Sequence, residues 1–338
     1  MLRAALVTPL SGPLAGYGRA GAAALALWAE AFAGRPAPRL VVHDAHGDPA
    51  AAVRRAEAEG FDLLFGPYGS SPATAVAQAT SRLMWNHGGA RMSPGRRVVS
   101  VLAPAAGYFV GAVDAVHAAD PRVSSVALLH SRTGFGRDVG AGAEQAATRR
   151  GLTVVRTALP ARSPTADLLL VAGSFDDELA AARRLLPGEW RAAAFVGAGV
   201  EEVLAALGPL REGLLGPAQW LASAAPEPDE GPTAAEFAER FRRRTGAEPP
   251  YPAAQAFAAG LIAARCLRDA GDAADDALLA AARGLDCTTM FGRFRLDPQT
   301  GLQVGQQVLT VQWQDGVRTV VWPPDRAQAP LRHPLRAP

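Results

Sequence analysis

Not one lysine occurs in the 338 residues: all 34 basic side chains are arginine, set against 32 acidic ones for a formal net charge of +2. Balanced charge, with arginines scattered along the whole chain, describes a solvated surface and excludes the basic footprint of a nucleic-acid binder. Lysine's absence goes with an abundance of Ala, Gly and Pro, the mark of GC-rich coding. Cysteine is nearly missing too. Cys266 and Cys287 stand in neither CxxC nor zinc spacing, which excludes a zinc ribbon, and Cys266 in the apolar run LIAARCL is expected as a buried thiol. No apolar run reaches the roughly 20 residues of a membrane-crossing helix, because Pro, Gly or a charge interrupts each one. No P-loop, G-x-S-x-G elbow or HExxH occurs, and neither cysteine stands in a catalytic spacing to a histidine. No enzyme, catalytic residue or cofactor is therefore expected. His43-Asp44-Ala45-His46-Gly47-Asp48 has metal-ligating residue types, but it closes a strand and reads as a polar loop, so no metal site is assigned. The opening residues MLRAALVTPL read directly as a strand, with no leader visible. If Met1 is the native start the protein is cytoplasmic; if a signal peptide has been removed it is extracytoplasmic.

What the chain does have is strand–helix alternation. Hydrophobic residues make up 49% and charged ones 20%, enough to build one large or two medium domains. Leu2–Leu10 is a strand, Ser11–Gly18 a glycine-rich turn, and an Ala/Leu helix runs to about Phe32, closed by Gly34. Arg39–His43 is a strand, and the next helix is capped by Asp48, opened by Pro49 and ended by Gly60. A helix is expected over Tyr108–Ala119, stopped before Pro121. The pattern restarts at Ser125–His130 and continues with strands at Leu152–Ala158, Ala166–Ala172, Ala193–Gly197 and Leu214–Leu221. A helix follows the GSFDD turn and ends near Pro187. Such alternation predicts an α/β fold with parallel sheets covered by helices. After a Pro-rich linker at Ala224–Pro232 come three helices, about Thr233–Thr245, Pro252–Asp269 and Ala273–Leu285. The ending alternates like antiparallel strands, with Asp315-Gly316 as a strong hairpin signal. Beyond Pro323 a loose Pro- and Arg-rich tail is expected.

The stretch LLFGPYGSSPATAVAQA, Leu63–Ala79, carries the clearest chemistry. A buried strand breaks at Gly66-Pro67-Tyr68-Gly69 and enters a helix with Ser71 as cap and Pro72 at the first helical position. Outward N–H groups, the positive end of the helix dipole and two hydroxyls then make a place for an anion, a carboxylate above all. An ordinary turn whose serine only caps the helix is the plainer alternative.

Five motifs in order carry a resemblance: SGPLAGYGRAG, FGPYGSS, TGFGRD, YPAAQAFAAGLIAA and FGRFRLDPQTG. Together they make the chain resemble type I periplasmic binding proteins, in the branch of the leucine/isoleucine/valine-binding proteins of ABC transporters, over about Leu2 to Pro323. The resemblance implies two Rossmann-like lobes joined by a three-crossing hinge, with a small ligand in the interlobe cleft and closure by hinge motion. Lobe 1 would be 1–121 and 231–288, lobe 2 would be 122–221 and 298–323, with 222–230 and 289–297 as linkers and 324–338 as tail.

It also implies ligand-binding residues. Ser70 would donate to a carboxylate, with Ser71 capping beside it. Tyr17 would line the cleft; Asn86, His87, Gly88 and Gly89 would offer polar groups and close backbone approach; Tyr108 is a further candidate. From lobe 2, Phe135, Phe175, Asp176 and Trp220 would form the opposing wall. Each aromatic has core packing as its alternative. Amino-acid binders of the family carry an acid after the strand matching Ala193–Gly197, where this chain has Gly197-Ala198-Gly199-Val200. Either Glu201 or Asp176 substitutes, or the ligand lacks an α-amino group. The expected function is non-catalytic binding of a carboxylate, amide or amino-acid-like ligand, as solute receptor for an ABC permease. The alternative is a cytoplasmic sensor on the same fold that controls a regulatory protein.

Overall fold

Apolar strands buried on both faces form the centre of the N-terminal sheet, flanked by half-buried edges. A computed structural model describes residues 1–31, 37–91, 97–160, 165–186 and 188–334. The chain divides into two units by its own contacts: unit 1 holds 1–104 and 220–307, unit 2 holds 105–219 and 308–338, so the chain passes from one to the other after 104, 219 and 307.

In unit 1, β1 (Arg3–Thr8), β2 (Arg39–Asp44), β3 (Leu63–Phe65), β4 (Met84–Asn86) and β5 (Val98–Ser100) form a parallel sheet in the order β2-β1-β3-β4-β5. Between them run α1 (Ala15–Glu30), α2 (Pro49–Glu59) and α3 (Ser70–Ala79). The ends of α2 are as the sequence predicts: Asp48 accepts from the Ala51 N–H, Pro49 follows, and Gly60 at φ 76° stops the helix. Phe32 and Gly34, expected to close α1, lie outside the described residues, as does Pro187. On one face of the sheet, Ala5, Val7, Leu64 and Met84 pack with Ala52, Val53, Ala56 and Val76 of α2 and α3.

Unit 2 begins with a short 3-10 turn and α4 (Val110–Ala119), followed by β6 (Ser125–His130), α5 (Gly134–Arg149), β7 (Thr153–Ala158), β8 (Leu168–Ala172), α6 (Phe175–Leu185), β9 (Ala192–Phe195) and β10 (Leu215–Ala218). The chain then returns to unit 1 for α7 (Ala234–Thr245), α8 (Tyr251–Ala270), α9 (Asp275–Gly284) and an antiparallel hairpin, β11 (Asp286–Thr289) with β12 (Gly292–Arg295). It ends in unit 2 with β13 (Leu309–Gln314) and β14 (Val317–Trp322). The unit 2 sheet runs β14-β13-β10-β9-β8-β6-β7; β13 is antiparallel to both neighbours and the other pairings are parallel. The Asp315-Gly316 hairpin forms as its dipeptide predicts, with φ 55° and 77°. Leu169, Val171, Phe195 and Trp313 anchor this unit's core, with Trp190 donating its indole N–H to the Leu185 carbonyl at 2.7 Å.

Three expectations change. The helix expected from Tyr108 starts at Val110 and packs on β10, β13 and β14, which places it in unit 2 rather than the first lobe. Residues 289–297, expected as a linker, contribute β12 to the unit 1 hairpin. The expected loose tail is a docked strap through residue 334. The Gln314 side-chain amide donates to the Pro330 carbonyl at 2.9 Å, and Gln312 exchanges two hydrogen bonds with the Arg332 backbone at 2.9 and 2.8 Å. Beyond these, His333 Nε2 lies 3.0 Å from the buried Asp120 carboxylate. Arg122 first, and Arg191 next, hold that carboxyl far below its ordinary range. Ending the chain after Arg326 removes this set of neutral and charged bonds, and the unfolding free energy should fall by about 2–4 kcal/mol. A urea midpoint equal to that of the full chain would show that the strap adds nothing.

Candidate ligand-binding site

Two consecutive turns at the carboxyl ends of β3 and β4 build the site in unit 1. After the fully buried β3, Gly69 takes φ 98° and serves as N-cap of α3, so Ser70 is the first helical residue and Ser71 the second. This corrects the expected cap at Ser71: the reversal needs a left-handed backbone, which only the glycine adopts without strain, and Pro72 then falls where helix N–H groups are unpaired anyway. The Gly69 N–H donates to the Gly88 carbonyl at 3.0 Å, so the two turns are hydrogen-bonded to each other. Ser70 Oγ accepts from the Arg91 N–H at 3.2 Å, and Ser71 is exposed beside it.

Asn86 holds the second turn from inside. Its Nδ2 donates to the Gly89 carbonyl and to Ser100 Oγ, both at 2.8 Å, and its Oδ1 accepts from the Gly89 N–H at 2.9 Å. Fully buried and bonded within the protein, Asn86 positions Gly88 and Gly89 rather than meeting a ligand itself. His87 is displaced from its expected role more plainly. It is fully buried, and its imidazole sits over α1, so that a Cβ built at Gly21 would stand 3.2 Å from its Cε1. Burial pushes its pKa down to about 4, so the ring is neutral.

Over these turns lies an aromatic surface. Tyr17, from the first turn of α1, stacks on Tyr68 with ring centroids 4.7 Å apart and planes at 26°. Tyr251, the first residue of α8, faces both rings at 6.4 and 6.2 Å, and its hydroxyl bonds to that of Tyr68. Each such pair is worth about 0.5–1.5 kcal/mol beyond burial. Tyr68 and Tyr251 join the candidates here, beyond those expected from the sequence. Both stand in the motifs FGPYGSS and YPAAQAF, and the available signal is an aromatic at a turn or helix start beside the turn expected to take an anion.

The other candidates lie in unit 2, with one exception. Tyr108 and Phe135 meet edge to face at 5.5 Å, and the Gln219 amide donates to the Tyr108 hydroxyl at 3.3 Å. Burial pushes that hydroxyl's pKa up to about 12. Phe175 and Asp176 open α6, behind a capping box in which Ser174 and Asp177 exchange bonds; Asp176 is exposed. Trp220 is the exception. It belongs to unit 1, donates its indole N–H to the Met290 carbonyl at 2.9 Å and packs edge-on to Phe237, so it is part of that unit's core and not of a lobe 2 wall. A bulky indole one residue past the crossing finds more apolar surface in the helical layer than at an open rim.

Glu178 is a further finding. It is completely buried on α6, accepting from the Gly173 N–H at 2.9 Å and the Gly197 N–H at 2.6 Å, and so clasps the turns that follow β8 and β9. Glu201, a candidate acid for the same region, is engaged with Arg318 at 2.8 Å.

The topology and the two sets of turns define a two-lobed periplasmic binding protein of type I. A family model for periplasmic binding proteins matches residues 2–317, and the chain belongs to that family. Solved structures agree on the fold. The leucine-binding protein LivK of Thermotoga maritima MSB8 superposes with a TM-score of 0.77 at 18% identity, over 95% of this chain and 97% of that one. A branched-chain amino acid ABC transporter ligand-binding protein from Burkholderia xenovorans LB400 gives 0.78 at 17% identity, over 95% of each chain. An R. palustris ABC-transporter solute-binding protein in complex with benzoate gives 0.72 at 17% identity, again over 95% of each.

Glu178 makes the protein's stability depend on pH. Burial raises its carboxyl from 4.5 to about 8, so the folded chain keeps a proton that the unfolded chain loses. Its contribution is complete below pH 4.5 and is lost as pH rises through about 8. His87 works the other way but only below pH 6.5, where the unfolded imidazole charges. Between pH 6.5 and 8, stability should therefore decline in the wild type and stay flat in Glu178→Gln, as read from urea midpoints at intervals of half a pH unit. Parallel curves would remove the buried proton from the account.

Proposed function

We propose that this protein is a non-catalytic receptor for a small organic carboxylate, an aromatic acid in preference to a branched-chain amino acid, and that it delivers this ligand to an ABC permease outside the cytoplasm. The observation that carries the reading is the stacked Tyr17–Tyr68 pair, joined by Tyr251, directly beside the Gly69–Ser70 entry into α3. A carboxylate suits the N–H groups and hydroxyl at a helix N-terminus, and a flat apolar body suits tyrosine faces and edges. Ser70 would grip the acid group, Ser71, Gly88 and Gly89 would border it, and Tyr17 would contact the body. In unit 2, Tyr108, Phe135, Phe175 and Asp176 are the residues proposed for ligand contact.

An α-ammonium is poorly provided for. Gly197 and Ala198 bear no acid, Glu201 is paired with Arg318, and Glu178 is buried and spends its oxygens on two backbone amides. The benzoate complex of the R. palustris protein supports the same ligand class on this fold.

A thermal-shift screen of amino acids, amides, keto acids and aromatic acids tests the reading, since a ligand of the folded state raises the melting temperature with the logarithm of its concentration over Kd. Aromatic carboxylates should give the largest shifts, and incubation with the bound compound should return it unchanged. Ser70→Ala should weaken the best carboxylate by about 1.5–3 kcal/mol, roughly 10- to 100-fold in Kd, and leave folding intact. A screen without any shift would end the receptor proposal; an unaltered Kd in Ser70→Ala would end the role given to that turn.

A further inference from the structure

Beside the Ser70 turn, unit 1 has an open cavity of about 380 Å³. Three turns wall it: Pro9 and Leu14 before and in the entry to α1, His46 after β2, and Ser71, Pro72 and Ala75 of α3. Pyrrolidine rings, Leu14 and Ala75 make most of the lining apolar, while the exposed His46 imidazole and the Ser71 hydroxyl add polar groups. An enclosed space of roughly 150 Å³ already accommodates benzene, so an open one of this size holds a ring with its linker.

The groove is built rather than incidental. The Asp44 carboxylate accepts from the Leu10 N–H and the His46 N–H, both at 2.9 Å, and from Ser11 Oγ at 2.8 Å. One carboxylate thus fastens two of the three turns. These bonds, the Leu10 amide first, hold its pKa down to about 2, so the fastening persists at any ordinary pH. The third turn is joined through Leu14, whose Cδ1 lies 3.0 Å from where a Cβ on Gly69 would stand. Gly69 is the N-cap of the helix that Ser70 and Ser71 begin, and the Cα atoms of consecutive residues are only about 3.8 Å apart. The cavity is therefore contiguous with the turn proposed to hold the acid.

We propose that this groove is an extension subsite for the same ligand: it takes the apolar aryl or alkyl part of a carboxylate longer than benzoate, with His46 meeting a polar group at its far end. This rests on the reading that Ser70 anchors a carboxylate. The ligand class narrows accordingly, from aromatic acids in general to aryl-substituted or otherwise elongated ones.

Isothermal titration of benzoate and 4-phenylbutanoate against the full chain tests the subsite. The longer acid should bind at least tenfold more tightly than benzoate. Ala75→Phe, at a half-buried position of α3 that lines the cavity, fills the groove and should abolish that advantage while leaving the benzoate Kd unchanged; Ala75→Leu should do so in part and serves if the larger residue impairs folding. Benzoate and 4-phenylbutanoate binding equally well, or an advantage that survives both fillings, overturns the subsite alone. Failure of both acids to bind the wild type overturns the Ser70 carboxylate reading and the subsite with it.

Discussion

The hydrogen bond from the Gly69 N–H to the Gly88 carbonyl ties together everything placed at the carboxyl end of the unit 1 sheet. It joins the turn that starts α3 to the turn that follows β4. The approach it requires is close: a Cβ on Gly88 would stand 2.4 Å from the Tyr68 Cα, and the atom in the way is backbone, which does not yield. Asn86 then fixes the far side of the second turn with three bonds of its own. Tyr68 is thereby held on a frame without side-chain freedom beneath it. The same frame presents Ser70 and the N-terminus of α3. A pair of turns held this way is ordered in folding, so a ligand bound there would meet little further ordering cost.

The spacing of the tyrosines comes from elsewhere, from how tightly α1 and α8 pack. Tyr17 and Tyr251 sit at the starts of these helices. Small residues allow the two helices to approach. A Cβ at Gly260 of α8 would stand 2.5 Å from the Trp28 ring of α1, and Gly21 leaves space for the His87 imidazole with Ala256 nearby. His87 is thus a packing element one helical turn below Tyr17, since Tyr17 and Gly21 share a face at i and i+4. The aromatic surface and the buried imidazole are consequences of one helix–helix contact.

Much of this was legible in the sequence because it was local. The Asp48-Pro49 start, the Gly60 stop, the Asp315-Gly316 hairpin and the strand–helix alternation each rest on neighbouring residues and formed as read. The strand–turn–helix at Leu63–Ala79 forms for the same reason, with its cap at Gly69 rather than Ser71. What was not legible depended on partners far along the chain. Asn86 and His87 occupy a strand end where side chains can face ligand or interior, and only the position of α1 decides it for His87. Trp220 looked like a pocket wall because nothing near it in sequence announces Phe237 or the Met290 carbonyl. The docked strap was hidden by composition: Pro and Arg read as a loose tail, yet the bonds are made by Gln312, Gln314 and Asp120, and a proline-rich segment loses less conformational freedom on docking than most.

Glu178 shows the same limit from the other side. An acid on a helix with a strongly polar first turn reads as solvated, and its neighbours Asp176 and Asp177 are exposed. Its burial follows from what the following strands leave behind. Gly197 has no side chain: a Cβ there would stand 2.5 Å from Val203 Cγ1 and 2.9 Å from Glu178 Oε2, so Val203 and the carboxyl group together fill the space that a larger residue would take, and the carboxyl satisfies the N–H that β9 leaves unpaired. The glycine at the end of β9 and the buried acid on α6 therefore belong to one packing arrangement. A side chain at residue 197 would need volume that Val203 and Glu178 already occupy, and burial raises the Glu178 carboxyl to about 8 while its two oxygens accept from the Gly173 and Gly197 N–H groups.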